Sequence, residues 1–259
     1  MNWEKLLGMP PTASVQAGHV DNLIIWVHWL MIALFIGWFC YFVYALIRFR
    51  QKRNPKADHY GVRNHASNYL ELFVAVIEGV LLIGVAIPFW AKAVDKFPDP
   101  KDCTVVQVVA QQFAWNIRYP GKDGTFGKQE MAFVTNENLF GIDPNDPNGK
   151  DDVQTLNDMH VPLVKLPDGG YKPVIVFVSS KDVIHSFKVI AFRLTQDAIP
   201  GLRIPVWFTP TKEGRFQINC AQLCGNGHYS MAQGFITVES QEKYDKWLAS
   251  KAGAATSFE

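Results

Sequence analysis

From Leu23 to Ile47 the chain reads LIIWVHWLMIALFIGWFCYFVYALI, without one Asp, Glu, Lys or Arg. About 20 apolar residues carry an α-helix across a bilayer, so this run predicts a membrane span. A second apolar run, Tyr69 to Ala91, is interrupted only by Glu71 and Glu78. Between the two lie Arg48, Arg50, Lys52, Arg53, Lys56 and Arg63 against a single acid, Asp58. Basic residues favour the cytoplasmic side, which places this loop inside, both termini outside, and a soluble domain after Lys92 on the outer face. The first run lacks the short apolar core and charged start of a cleaved signal, and is read as a retained span. Residues 1–22, with Pro10-Pro11 and Gly18, are expected to form an exposed arm near the outer surface.

The two runs explain why 48% of residues are hydrophobic and only 19% charged. A net charge of +1 offers no electrostatic case for nucleic acid. From Cys103 the pattern changes to short β-type runs separated by Gly, Pro, Asn and Asp, as in a sandwich or barrel. Thr104–Val109 is rich in β-branched residues, and Phe113, Trp115, Ile117 and Tyr119 alternate along one face of the next strand. Pro120 to Gly124 is a turn. Asn136–Asp158 reads as a long polar loop, with strands resuming at Pro173–Val178, Val183–Phe192, Arg215–Asn219 and Gly234–Val238. Tyr244, Trp247 and Leu248 recur at helical spacing. The expected division is therefore an arm over 1–22, a helical hairpin over 23–91, an outer β domain over 92–251 and a flexible tail over 252–259.

Between the last two strands stand Cys220, Cys224, His228 and Met231, and His185 lies upstream in Asp182-Val183-Ile184-His185-Ser186-Phe187. Two thiols, two imidazoles and a thioether are a soft donor set, which favours copper over calcium, magnesium or manganese. A single blue-copper ion uses one Cys, so the second Cys is what two bridged copper ions would need. A disulfide and a structural zinc remain alternatives on the residues alone, although a disulfide uses neither the histidines nor the methionine and zinc has no use for the thioether.

With these residues in this order, nearly the whole chain resembles subunit II of the haem-copper cytochrome c oxidases, which carry a dinuclear copper A centre. The resemblance rests on the two spans, the Asp182–Phe187 strand, Asp197-Ala198-Ile199-Pro200-Gly201 and the Cys-x3-Cys-x3-His-x2-Met loop. It implies a cupredoxin-like Greek-key sandwich as the outer domain. It further implies that Cys220 and Cys224 bridge two coppers, with His185 and Met231 on one and His228 and the Gln222 carbonyl on the other. The implied partners are a haem-bearing subunit I, which reduces dioxygen to water and pumps protons, and cytochrome c or a c-type haem domain as donor. Haem belongs to the partner subunit alone.

Several places depart from the family's usual pattern or carry lesser implications. Gln222 stands where the family has a Glu that helps bind magnesium, and an amide oxygen is a weaker ligand for a hard cation; tight magnesium is not expected. Pro200-Gly201-Leu202-Arg203 replaces Pro-Gly-Arg, which leaves the role of Arg203 open. Phe113 aligns with the usual tryptophan that accepts the electron, while Trp115 is retained; both rings also read as ordinary core aromatics. Glu71 matches a family carboxylate at the mouth of a proton pathway. Glu78, seven residues on, lies on nearly the same helix face about 10 Å deeper, with no family counterpart. His28, Cys40, Cys103 and His160 read as structural residues.

Three other readings compete. A nitrous oxide reductase copper A domain would need a large preceding propeller. A copper-binding assembly factor or metallochaperone using Cys-x3-Cys is usually thioredoxin-like with one span. A quinol oxidase subunit II lacks the copper ligands that are present here.

Overall fold

The computed structural model describes residues 3–56, 59–61, 63–94 and 96–252. They fall into two compact units: residues up to Asn22 together with those from Pro98 onward, and Leu23–Phe97. Asp58, and all of the expected flexible tail except Ala252, lie outside the described residues.

The helical unit holds two helices long and apolar enough to cross a membrane. After a short α1 (Trp3–Leu6), helix α2 runs over Val15–Arg48. Its side chains beyond Leu23 are largely exposed, among them Trp26, Phe35 and Phe42, as expected of a helix whose surroundings are lipid rather than protein. The second span starts as α3 (Ala66–Gly79), passes through a π-helical stretch at Val80–Ala86 and ends as α4 (Ile87–Val94). The Ile87 amide reaches back five residues to the Leu82 carbonyl. Pro88 has no N–H to give, and its ring would collide with the carbonyl four residues earlier in a regular α-helix; wider winding just before it is the usual remedy.

The outer unit is a sandwich of two five-stranded sheets. The strands are β1 (Thr104–Gln111), β2 (Ala114–Tyr119), β3 (Val153–Leu156), β4 (Asp158–Leu163), β5 (Val174–Ser180), β6 (His185–Val189), β7 (Leu194–Ala198), β8 (Ile204–Phe208), β9 (Gly214–Cys220) and β10 (Gly234–Ser240). One sheet has the order β3-β2-β1-β5-β8 and the other β4-β10-β9-β6-β7. The pairs β1/β5 and β4/β10 are parallel and the rest antiparallel. Inward residues of both sheets form one core, in which Trp115 meets Phe187 edge-on at 5.5 Å. Full burial of side chains such as Phe187, Ile218 and Ile236 is worth roughly 1.5–3 kcal/mol each. Helix α5 (Gln241–Lys251) closes the unit through Tyr244 and Trp247, which pack against Tyr119.

Two expectations need correction. The polar loop over 136–158 contains β3 and the start of β4, so it is not structureless. In β2 the face carrying Trp115, Ile117 and Tyr119 is buried, and so are Asn116 and Arg118 on the other face. Residues 126–152 fold over that face: Arg118 pairs with Asp152, donates to Gln107 Oε1 (3.1 Å) and the Gly127 carbonyl (2.8 Å), and lies near the Phe126 and Phe140 rings. Finally, the segment expected as an exposed arm is built into the sandwich unit. Ala13, Ser14, Ala17 and Asp21 are buried, the Ala13 amide donates to the Ala191 carbonyl (2.9 Å) and the Val15 amide to that of Thr209 (3.0 Å).

Candidate metal centre

The register between β6 and β9 assembles the centre. Phe187 lies opposite Cys220, and side chains on one face of a strand recur every second residue, so His185 shares the face of Phe187 and projects beside Cys220. The ladder continues one step, with the Ala221 amide donating to the Ser186 carbonyl (3.0 Å). The chain then loops through 221–227 and winds into a 3-10 turn, His228–Gln233, that leads into β10.

This path brings together donors that are distant in sequence. Cys220 Sγ lies 3.8 Å from Cys224 Sγ, 4.0 Å from His185 Nδ1 and 3.0 Å from the Gln222 carbonyl oxygen. Cys224 Sγ lies 3.4 Å from His228 Nδ1. The side-chain donors of His185, Cys220 and Cys224 all fall within 4.8 Å of one another. Met231 is fully buried in the 3-10 turn. Both cysteines are free thiols.

The surroundings hold these groups in position. Nε2 of His185 bonds Asp182 Oδ1 at 2.9 Å, which places the ring proton there and leaves Nδ1, the nitrogen facing Cys220, with its lone pair. Burial opposes charge on Asp182, but the Gln112 amide, His185 and the Val183 amide outweigh it and hold the carboxyl below its ordinary value. Trp115, fully buried, donates from Nε1 to the Met231 carbonyl (2.8 Å) and meets the His185 ring edge-on at 6.2 Å. Burial first, then the neighbouring Cys220, push the Cys224 thiol up to about 11. The buried Cys224 thiol keeps its proton until a cation takes over its role. The donor set therefore suits a thiophilic metal ion.

The other candidates are placed as follows. The Gln222 side chain is exposed, while its carbonyl faces Cys220. Phe113 is partly buried and lies flush on the loop: a Cβ on Gly227 would come within 2.4 Å of its ring, and one on Gly225 within 3.0 Å. Arg203 stacks on Phe177 with its guanidinium 4.1 Å from the ring centroid. Glu71 and Glu78 are exposed positions of α3 in the helical unit. His28 Nδ1 bonds the Ile24 carbonyl one turn back (2.8 Å), and Cys40 is exposed. Cys103 is buried, and that burial raises its thiol above the ordinary value. His160 is wedged between Glu239 (2.6 Å) and Asp158 (3.3 Å) and stacks on Trp247.

Two supporting residues have no assigned part in the sequence reading. Asp182 has a legible signal, an acid three residues before a candidate ligand histidine. Gln112 has none, because its partners lie 70 and 112 residues away.

The family profile described as "Cytochrome C oxidase subunit II, periplasmic domain" matches residues 104–240. The alternative cytochrome c oxidase subunit 2 of Bradyrhizobium diazoefficiens is 33% identical over 235 residues, covering 89% of this chain and 79% of that protein. Cytochrome c oxidase subunit 2 of Cereibacter sphaeroides is 29% identical over 261 residues, covering 95% and 80%. The crystal structure of the periplasmic domain of subunit II of cytochrome oxidase of Bradyrhizobium japonicum aligns with 59% of this chain and 95% of that one, at 28% identity and a TM-score of 0.41.

Proposed function

Because the chain belongs to the cytochrome c oxidase subunit II family, we propose that it is the electron-accepting subunit of a proton-pumping terminal respiratory oxidase, built around a dinuclear copper A centre. The observation that carries this reading is the thiol pair, Cys220 and Cys224 at 3.8 Å, with one imidazole nitrogen beside each sulfur. Cys220 and Cys224 would bridge the ions, His185 and Met231 would complete one, and His228 with the Gln222 carbonyl the other. When bound, the pair supplies a one-electron couple. The protein's part is to hold the donors still, so that little rearrangement accompanies the change of charge. Asp182 orients His185, Trp115 anchors the Met231 segment, and burial of His185, Cys224 and Met231 excludes water.

Electrons come from cytochrome c or a c-type haem domain and leave toward haem in subunit I, where dioxygen is reduced. Phe113 is the better placed of the two aromatic candidates for receiving them, since its ring is partly exposed and abuts the loop, whereas Trp115 is enclosed. Leu223 in the loop and Tyr229 in the following 3-10 turn, 86% and 80% exposed, offer uncharged surface suited to contact with another protein. The chain is anchored by its two apolar helices, with the basic loop cytoplasmic and the copper domain on the outer face. Glu71 is assigned to proton uptake with subunit I. The exposed Gln222 amide is a poor magnesium ligand. A copper-carrying assembly factor remains the alternative, favoured by nothing beyond the cysteine pair itself.

The test is copper analysis and EPR of the full chain in detergent. Two coppers per chain with an unpaired electron shared by both are expected. One copper with a four-line pattern, or preferential zinc retention, would refute the assignment. Loss of either Cys should abolish the centre, whereas Met231→Leu should shift its potential and leave it assembled.

A further inference from the structure

We propose that Gln112 is a positioning residue that ties the Cys224 half of the site to the His185 half before any metal is bound. This inference rests on the reading of the site as a copper centre.

Gln112 and Phe113 form the two-residue link between β1 and β2, just beyond the last pair, Gln111 with Ala114. The main-chain amide of Gln112 donates to Asp182 Oδ2 (2.7 Å), and its side-chain Nε2 donates to the Cys224 carbonyl (2.6 Å). Asp182 uses its other oxygen for His185 Nε2 (2.9 Å). A continuous path of hydrogen bonds thus runs from the Cys224 carbonyl through Gln112 and Asp182 to the His185 ring. It joins the β1–β2 turn, the β5–β6 connection, the first residue of β6 and the loop after β9.

The fit leaves no slack. Gly225 has φ +135, and a Cβ there would lie 2.8 Å from Gln112 Nε2. Phe113 presses on Gly227 from the same turn. The amide orientation follows from chemistry, since a carbonyl oxygen at 2.6 Å accepts from the NH2 group and repels the amide oxygen. Partners behind a ligand commonly decide whether its geometry is ready or must be paid for on binding. Here one exposed glutamine sets the separation between a thiol segment in the loop after β9 and an imidazole at the start of β6.

The experiment uses the full chain in detergent as wild type, Gln112→Met and Gln112→Glu. Met keeps the length and loses the donor; Glu keeps the shape and sets a carboxylate oxygen against the Cys224 carbonyl. In the copper-free protein, hydrogen exchange is followed in peptides covering 225–231, where the His228 and Ser230 amides bond the Gly225 and Gly227 carbonyls. Exchange there should speed up about three- to tenfold, the equivalent of one lost hydrogen bond, with β1 and β10 unchanged. Copper affinity should fall about 10- to 100-fold, and the EPR hyperfine splittings and reduction potential should shift. Unchanged exchange, affinity and splittings in both variants would overturn the proposal. So would faster exchange throughout the sandwich in both, because Gln112 would then support the domain rather than the loop. If the wild type takes up no copper pair, the copper reading fails separately, and the exchange comparison still decides whether Gln112 orders the loop.

Discussion

Asp21 and Arg193 meet across 172 residues of chain as a two-pronged pair, with Nε to Oδ1 at 2.8 Å and Nη2 to Oδ2 at 2.9 Å. Both side chains are nearly buried. Arg193 also donates to the Pro10 and Ile190 carbonyls (2.7 Å each). The start of α2 is thereby fastened to the turn between β6 and β7.

Removing one partner strands the other charge. Breaking a buried pair in this way costs about 3–5 kcal/mol, so Asp21→Ala should destabilise the outer unit by that order. Arg193→Ala should cost a similar amount, and the double variant less than the sum, because neither charge is then left alone. Denaturation followed by the fluorescence of buried Trp115 would measure this. Additive losses would show that the two residues act independently.

The strands that can be read from the sequence are the six inner ones, β1, β2, β5, β6, β9 and β10. The four that escape notice, β3, β4, β7 and β8, are the sheet edges. Edge strands need satisfy only one neighbour, so they tolerate residues that inner strands reject. Pro162 sits within β4 and Pro205 within β8, and each weakens the pattern that would announce a strand. The metal donors on one loop are legible because they lie within a dozen residues. The placement of His185 depends on the β6–β9 register, and Gln112 and the Asp21–Arg193 pair on contacts that no local pattern encodes.

His160 offers a test by pH. Burial opposes its charge, but Asp158 and Glu239 on either side outweigh that and raise its pKa above 6.5. A group raised on folding adds stability that is fully present below its unfolded pKa and is lost as pH rises through the folded one. The wild type should therefore lose stability relative to His160→Phe as pH climbs above 6.5. Phe keeps a ring against Trp247, which stacks on His160 at 4.0 Å, but carries no charge. Melting temperatures of the two proteins across pH 5.5–9 would check this, and a constant difference would exclude a titrating His160.

Gln222 should make divalent cation binding weak in the assembled oxidase. Its carbonyl faces Cys220 while its amide side chain is exposed, and neutral oxygens hold magnesium or manganese less firmly than carboxylates. Manganese EPR of the assembled oxidase should show loose or absent binding, tightened by Gln222→Glu. Stoichiometric, tightly held manganese without the substitution would refute the expectation.

Glu71 and Glu78 lie on α3, and seven residues separate them, nearly two helical turns. Carboxyl groups within an apolar span are costly and by default serve a function. Glu71, closer to the basic loop, is expected to receive protons from the cytoplasm, and Glu78 either extends that route or bonds a polar group of subunit I. Proton-uptake kinetics in the assembled oxidase separate these roles. Glu71→Ala should slow uptake, and normal uptake would remove its role. With Glu78→Gln, which preserves size and hydrogen bonding but cannot carry a proton in the same way, slowed uptake in a fully assembled complex identifies a relay. Normal uptake with that variant, together with poor assembly of Glu78→Leu, identifies a packing contact instead.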